Sequence, residues 1–216
     1  MQRGSSTLAR QARIVLAALG AVILATFAPP GMAQVQATFY ANYPATPNPL
    51  GDFGGGAVLC SATTFGTASG GFSLNFNDAA TRSALCPANP DILSPYNNNQ
   101  LGARFTGSLV VAATGLYNVT LNADDGDALA INGVVVRTDW YPKAGGPGVI
   151  QVDLNAGANP FVFDYFQGPC CNAFAQLIPG DGVIVLPPPI PEPASVALAV
   201  AGLGVVGAAT RRRRRA

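Results

Sequence analysis

Asn122-Ala-Asp-Asp-Gly-Asp-Ala-Leu-Ala-Ile-Asn-Gly133 is an acid-rich turn followed by an apolar strand and a second turn. Asp124 and Asp125 are adjacent carboxylates, Asp127 follows two residues on, and Gly126 offers a position free to take φ > 0. Upstream, Gly115–Leu121 alternates. Tyr117, Val119 and Leu121 fall on one face and Leu116, Asn118 and Thr120 on the other, the pattern of a strand with one buried side. Downstream, Ala128–Ile131 reads as a short strand, Asn132-Gly133 is the strongest two-residue hairpin signal, and Val134–Val136 returns as the partner strand. The acids are therefore expected on a loop held by strands on both sides. Two neighbouring carboxylates repel unless a cation lies between them, and calcium, which takes roughly six to eight oxygen ligands, suits such a pair. Aspartates in turns also cap their own backbone amides, and spacing alone leaves both readings open.

Composition narrows the chemistry. The 216-residue chain contains no histidine, and Glu192 is its single glutamate. Ser/His/Asp and Cys/His catalysis are thereby excluded, and the commonest general bases and zinc ligands are missing. A pair of carboxylates can hydrolyse a glycoside only from opposite sides of the bond, which adjacent residues on one turn do not reach. The chain is read as a binding or structural protein, not an enzyme. The overall net charge of +1 comes from arginines at the two ends. Between Gln34 and Ile190 stand four cationic residues, Arg82, Arg104, Arg137 and Lys143, against ten aspartates, a net charge of −6. With no basic patch, nucleic acid is excluded as a partner. Low charge, 25 glycines and many Asn, Ser and Thr suit an all-β fold rich in turns.

Several segments together resemble the domain named after anthrax protective antigen, the PA-fourteen domain. They are Ala37-Thr-Phe-Tyr40, Phe105-Thr-Gly107, Gly115-Leu-Tyr117, Asn122-Ala-Asp-Asp-Gly126 and Leu129-Ala-Ile-Asn-Gly133, then Phe161-Val-Phe-Asp-Tyr-Phe-Gln167 and Ala173-Phe-Ala-Gln-Leu177. The resemblance covers roughly residues 35 to 186 and is weak between Thr46 and Gln100. It implies a two-sheet antiparallel β-sandwich, jelly-roll-like. In carbohydrate-binding members of that family two aspartates joined by a cis peptide hold calcium, which bridges to sugar hydroxyls. Asp124 and Asp125 match that pair, and a late loop, Gln167–Asn172, would contribute Gln167 or Asn172 as a further ligand, although this loop does not match cleanly. Trp140, beside Tyr141, either stacks on a sugar ring or closes the end of the sandwich.

Both ends read as targeting segments. Residues 1–33 form a signal peptide, with Arg3, Arg10 and Arg13 before the apolar stretch Ile14–Ala28 and a small-x-small cleavage site at Gly31-Met-Ala33. Signal peptidase is the implied partner, and the domain spans 34–186. Residues 187–193 are a proline-rich spacer ending in Pro191-Glu192-Pro193, residues 194–210 an uncharged transmembrane run of about the minimum spanning length, and residues 211–216 an arginine-rich cytoplasmic tail. This tripartite end resembles the PEP-CTERM sorting signal of exopolysaccharide-producing Gram-negative bacteria. The resemblance implies exosortase processing after transient inner-membrane anchoring. It also implies delivery to the cell surface, outer membrane or extracellular matrix, with exopolysaccharide or another glycan as a ligand. The sandwich is thus expected between an N-terminal signal helix and a C-terminal hydrophobic helix. Gly202-Leu-Gly-Val-Val-Gly207 fits a dinucleotide fingerprint but lacks the βαβ context and is set aside.

Export implies an oxidising compartment, so Cys60, Cys86, Cys170 and Cys171 are expected in disulfides. The preferred pairing joins Cys60 and Cys86 to Cys170 and Cys171, fastening the late loop beside the acidic turn. The alternative is a local Cys60–Cys86 bridge.

Overall fold

A computed structural model describes residues 34–65, 71–95, 100–168 and 172–188. The chain divides into the units Met1–Gly31 and Met32–Ala216, and every described residue lies in the second. The expected signal peptide 1–33, the sorting motif Pro191–Pro193, the expected transmembrane run 194–210, the arginine-rich end, and Cys170 and Cys171 fall outside the described residues.

Eleven strands are described: β1 Gln34–Tyr40, β2 Val58–Phe65, β3 Phe72–Asn75, β4 Leu101–Val111, β5 Gly115–Ala123, β6 Gly126–Ile131, β7 Val134–Asp139, β8 Gly148–Leu154, β9 Gly157–Gln167, β10 Phe174–Pro179 and β11 Val183–Leu186. They form two antiparallel sheets. One runs β2-β1-β4-β9-β6-β7, with β11 also paired to β4, and the other runs β3-β10-β5-β8. The all-β, two-sheet sandwich is therefore the fold that the resemblance implied.

Alternation along the strands explains the layering. In β5, Val119 and Leu121 are buried and Asn118 is exposed, as the period of two requires. The inner faces meet through aromatic rings. Phe72 of β3 stacks on Phe105 of β4 at 4.5 Å, and Phe76, just beyond β3, stacks on Tyr165 of β9 at 5.8 Å. Phe39 of β1 meets Phe76 edge-on at 5.9 Å. Such pairs add about 0.5–1.5 kcal/mol each beyond the area they bury. At the β6–β7 hairpin Asn132 and Gly133 both take positive φ, 52° and 74°, the conformation of a type I′ turn.

The segment before β4 holds two elements that period-two reading does not reveal. Helix α1, Ala79–Leu85, is capped by Asp78, whose carboxylate accepts hydrogen bonds from the Ala80 and Thr81 amides. A 3₁₀ turn, Pro90–Leu93, follows. Cys86 ends α1 next to β2, and a disulfide joins it to Cys60 across a Cα–Cα distance of 6.0 Å. This corrects the preferred pairing of both residues with Cys170 and Cys171. A helix folded back onto the sheet edge brings together two cysteines 26 positions apart.

The outer face of the larger sheet carries a buried ion pair. Asp164 of β9 lies directly across from Arg104 of β4, fully shielded from solvent. Arg104 grips it with Nε–Oδ1 at 2.7 Å and Nη2–Oδ2 at 2.8 Å. The same guanidinium donates to the carbonyls of Asn48, at 2.7 Å, and Gly51, so this side chain ties the loop over this face to the buried pair.

Candidate functional site: an acidic arch between the two sheets

The acid-rich turn does not join two strands of one sheet. β5 belongs to the smaller sheet and β6 to the larger, so Asp124 and Asp125 form the arch that crosses between them. Backbone hydrogen bonds pin the arch on both sides. The Asp124 amide donates to the Phe174 carbonyl at 3.1 Å, and the Asp125 amide to the Lys143 carbonyl at 2.8 Å. The positive φ falls on Asp125, at 64°, rather than on Gly126 as the turn chemistry suggested. Gly126 is needed for a different reason. A Cβ there would meet the Phe166 ring, 2.5 Å from Cδ1 and 2.9 Å from Cζ. Among the described residues no peptide bond is cis, so the cis link that the resemblance implied is absent and the unusual conformation resides in the Asp125 φ angle.

Both carboxylates point into converging loops. Asp124 Oδ1 accepts from the Gly145 amide at 2.8 Å. Asp125 Oδ1 accepts from the Lys143 amide at 3.2 Å, and its Oδ2 accepts from the Gly168 amide at 2.6 Å. The loop after β7 and the loop after β9 are thereby tied to the arch. Asp124 is only 8% exposed and Asp125 only 9%. Burial raises the Asp124 carboxyl above its ordinary value, and the neighbouring Asp125 charge adds to this. The Gly145 amide and the Gln167 side chain work in the other direction.

Asp127 fares differently from its two neighbours. Arg137 binds it through Nε at 2.5 Å, and Lys143 Nζ reaches its other oxygen at 2.9 Å. Both cations also bind Asp139, Arg137 at 2.8 Å. Asp139 is held below its usual value because Lys143 and Arg137 outweigh the opposing effect of burial. Among the described residues no ion pair reaches Asp124 or Asp125. The ammonium of Lys143 turns to Asp127 while its backbone serves Asp125.

Gln167 comes to the arch as expected. It is fully buried, hydrogen-bonds Asp124, and accepts a 2.7 Å bond from the Tyr165 hydroxyl. Burial, together with the Asp124 and Asp125 charges, pushes that phenol well above its usual range. Asn172 does not join the pair. It is exposed and lines a separate cleft with Asn75, Asn122 and Gln176. Trp140 sits at the end of β7, half-buried, with Nε1 donating to the Pro44 carbonyl at 3.0 Å. Its ring meets Phe166 edge-on at 4.7 Å, and Tyr43 stacks on the same Phe166 at 4.0 Å. The indole thus closes the sandwich beside the arch. Tyr43, which no motif singled out, stands in this cluster, and its hydroxyl is raised by burial and by the Asp125 charge. Among the described residues no three His, Cys, Asp or Glu side chains gather as a metal cluster. A cation at the arch would have to draw on two carboxylates and neutral oxygens.

Comparisons with known proteins place the fold in context. No curated protein matches the chain. Similar solved structures include an anti-sigma factor domain-containing protein at 16% identity and TM-score 0.48, covering 75% of this chain and 50% of the other. The chain thus spans half the length of that protein. The PA14 domain of the MpAFP antifreeze protein matches at 15% identity and TM-score 0.46, covering 75% of this chain and 94% of that one. A PA14 sugar-binding domain from an RTX adhesin matches at 19% identity and TM-score 0.40, covering 68% and 87%. Likeness at this level carries no conclusion about ligands. Among the described residues no helix is long and apolar enough to cross a membrane. The sequence match is confined to the C-terminal end: residues 189–215 carry a PEP-CTERM protein-sorting motif, which marks the chain as an exported protein processed at the cell envelope.

Proposed function

We propose that the chain is an exosortase-processed protein of the cell surface or extracellular matrix whose sandwich binds carbohydrate, with calcium held at Asp124 and Asp125. One observation carries this reading: two adjacent, nearly buried carboxylates with no cationic side chain paired to either among the described residues, while Asp127 and Asp139 each pair with Arg137 and Lys143 and Asp164 pairs with Arg104. A hard dication would offset their repulsion. Each carboxylate oxygen keeps a second lone pair after accepting an amide, so the donor set is compatible with an oxygen-seeking metal. Asp124 and Asp125 would hold the ion, Gln167 would support Asp124, and the ion would present open positions to sugar hydroxyls. The protein acts by binding, since histidine is absent and the two carboxylates cannot flank a scissile bond.

A second reading is favoured by the amides of Lys143, Gly145 and Gly168. The arch carboxylates already satisfy all three, which is what a purely structural matrix component would use them for. Calcium titration by calorimetry, followed by a glycan array with and without calcium, separates the two. Calcium binding that raises Tm, and glycan binding that is lost with chelator and in Asp125→Asn, supports the first. No heat and no stabilisation leaves the arch as a loop organiser. Asparagine is the right replacement because it tolerates the left-handed conformation at this position.

A further inference from the structure

A second site lies on the outer face of the smaller sheet. Register places Ser73 of β3 across from Gln176 of β10, and Gln176 across from Asn122 of β5. Side chains follow the register as a ladder: Asn122 Nδ2 donates to Gln176 Oε1 at 3.0 Å, and Gln176 Nε2 donates to Ser73 Oγ at 2.5 Å. Around the ladder is a cleft of about 480 Å³, which Asn75, Asn172 and the half-buried Phe174 also line. That volume falls within the range of small-ligand clefts.

Two features point to a ligand. Asn122 Oδ1 is buried and has no hydrogen-bond partner among the described residues. Turning the amide over would only exchange which of its two polar atoms is orphaned, and a buried polar group left unpaired costs about 1–3 kcal/mol. In addition, the described lining contains no charged side chain, in a domain otherwise rich in aspartate. A wall of amides and a hydroxyl beside one aromatic ring offers paired donors and acceptors with no charge to satisfy. Phosphates and carboxylates find no counter-charge there. A sugar hydroxyl donates and accepts at once, and the apolar face of a pyranose suits a phenyl ring.

We infer that this cleft is a binding subsite for a neutral oligosaccharide, independent of calcium and sharing no carboxylate with the acidic arch. The exposed Ser73 and Asn172 side chains and the half-buried Gln176 amide offer the polar contacts to ligand hydroxyls, and a hydroxyl reaches the enclosed Asn122 Oδ1 only as the ladder side chains shift aside.

The test uses the full chain in the presence of EDTA, with cellohexaose, xylohexaose and mannohexaose as neutral probes. Binding is followed by calorimetry and by NMR of the side-chain NH₂ resonances of Asn122 and Gln176. The expected result is that at least one probe binds in EDTA and shifts both NH₂ signals. Asn122→Leu and the exposed Asn172→Ala each weaken that binding roughly tenfold. Asn172→Ala alters only an exposed side chain, so it decides the matter even where Asn122→Leu is poorly folded. The inference is overturned if no probe shifts these resonances, if every probe requires calcium, or if Asn172→Ala binds as wild type. It is overturned equally if a neutral extended peptide along the β3 edge shifts them and no oligosaccharide does. A calcium-free signal here with no calcium heat at the arch would sink only the arch reading, so the two proposals fail separately.

Discussion

Replacing Asp125 by alanine should remove the side-chain bonds that this residue makes to two loops. The carboxylate accepts from the Gly168 amide at 2.6 Å in a buried position and from the Lys143 amide at 3.2 Å. Leaving the buried Gly168 N–H without a partner costs about 1–3 kcal/mol, and the half-buried Lys143 N–H costs less because water can reach it. Alanine must also hold φ at 64°, which adds about 1 kcal/mol. Relief of repulsion with Asp124 acts in the opposite direction and is the smaller effect. The net loss is about 2–4 kcal/mol, a large share of the roughly 5–15 kcal/mol that holds a domain folded. Asp125→Asn keeps the left-handed conformation and one carbonyl acceptor, so it should lose only about 1–2 kcal/mol. Urea denaturation in chelator measures both, with hydrogen exchange at Gly168 reporting the local anchor. An alanine variant within about 0.5 kcal/mol of wild type, with Gly168 protection unchanged, would refute the view that this carboxylate organises the arch.

Further outcomes follow from the buried charges and the disulfide. Arg104→Met strands the fully buried Asp164 and should cost about 3–5 kcal/mol in urea denaturation, whereas Arg104→Met combined with Asp164→Leu should recover much of that loss. Burial holds the folded Asp124 carboxyl above its ordinary value of 3.8, so its contribution to stability is complete below pH 3.8 and lost as pH rises through the raised value. The stability difference between wild type and Asp124→Asn should therefore shift against wild type across that window, and a flat difference would show that the carboxyl is not perturbed. Exchanging Cys60 and Cys86 for serine opens a link 26 residues apart in sequence and should lower stability by about 2–4 kcal/mol, read from thermal or urea unfolding.

Local sequence determined what depends on neighbours along the chain. Alternation in Gly115–Leu121 marked β5 and its buried face, and Asn132-Gly133 marked the tight hairpin because few residue pairs accept two positive φ angles. The sorting motif was legible because it is read as a linear string. Missing histidine removed whole classes of catalysis before any fold was considered. Tertiary structure decided what depends on partners distant in sequence. Asp124, Asp125 and Asp127 look alike in the string, yet of the three only Asp127 pairs with Arg137 and Lys143, because β7 carries Arg137 alongside β6 and Lys143, whose backbone meets Asp125, turns its ammonium to Asp127. Cys60 found Cys86 because α1 folds back on β2, which no spacing rule indicates. Gln167 and Asn172 sit five positions apart but stand in different places, since Gln167 ends β9 buried against Asp124 while Asn172, just before β10, is exposed in the cleft. The amide ladder from Asn122 through Gln176 to Ser73 exists only because β5, β10 and β3 lie side by side in register, joining residues from three distant parts of the chain.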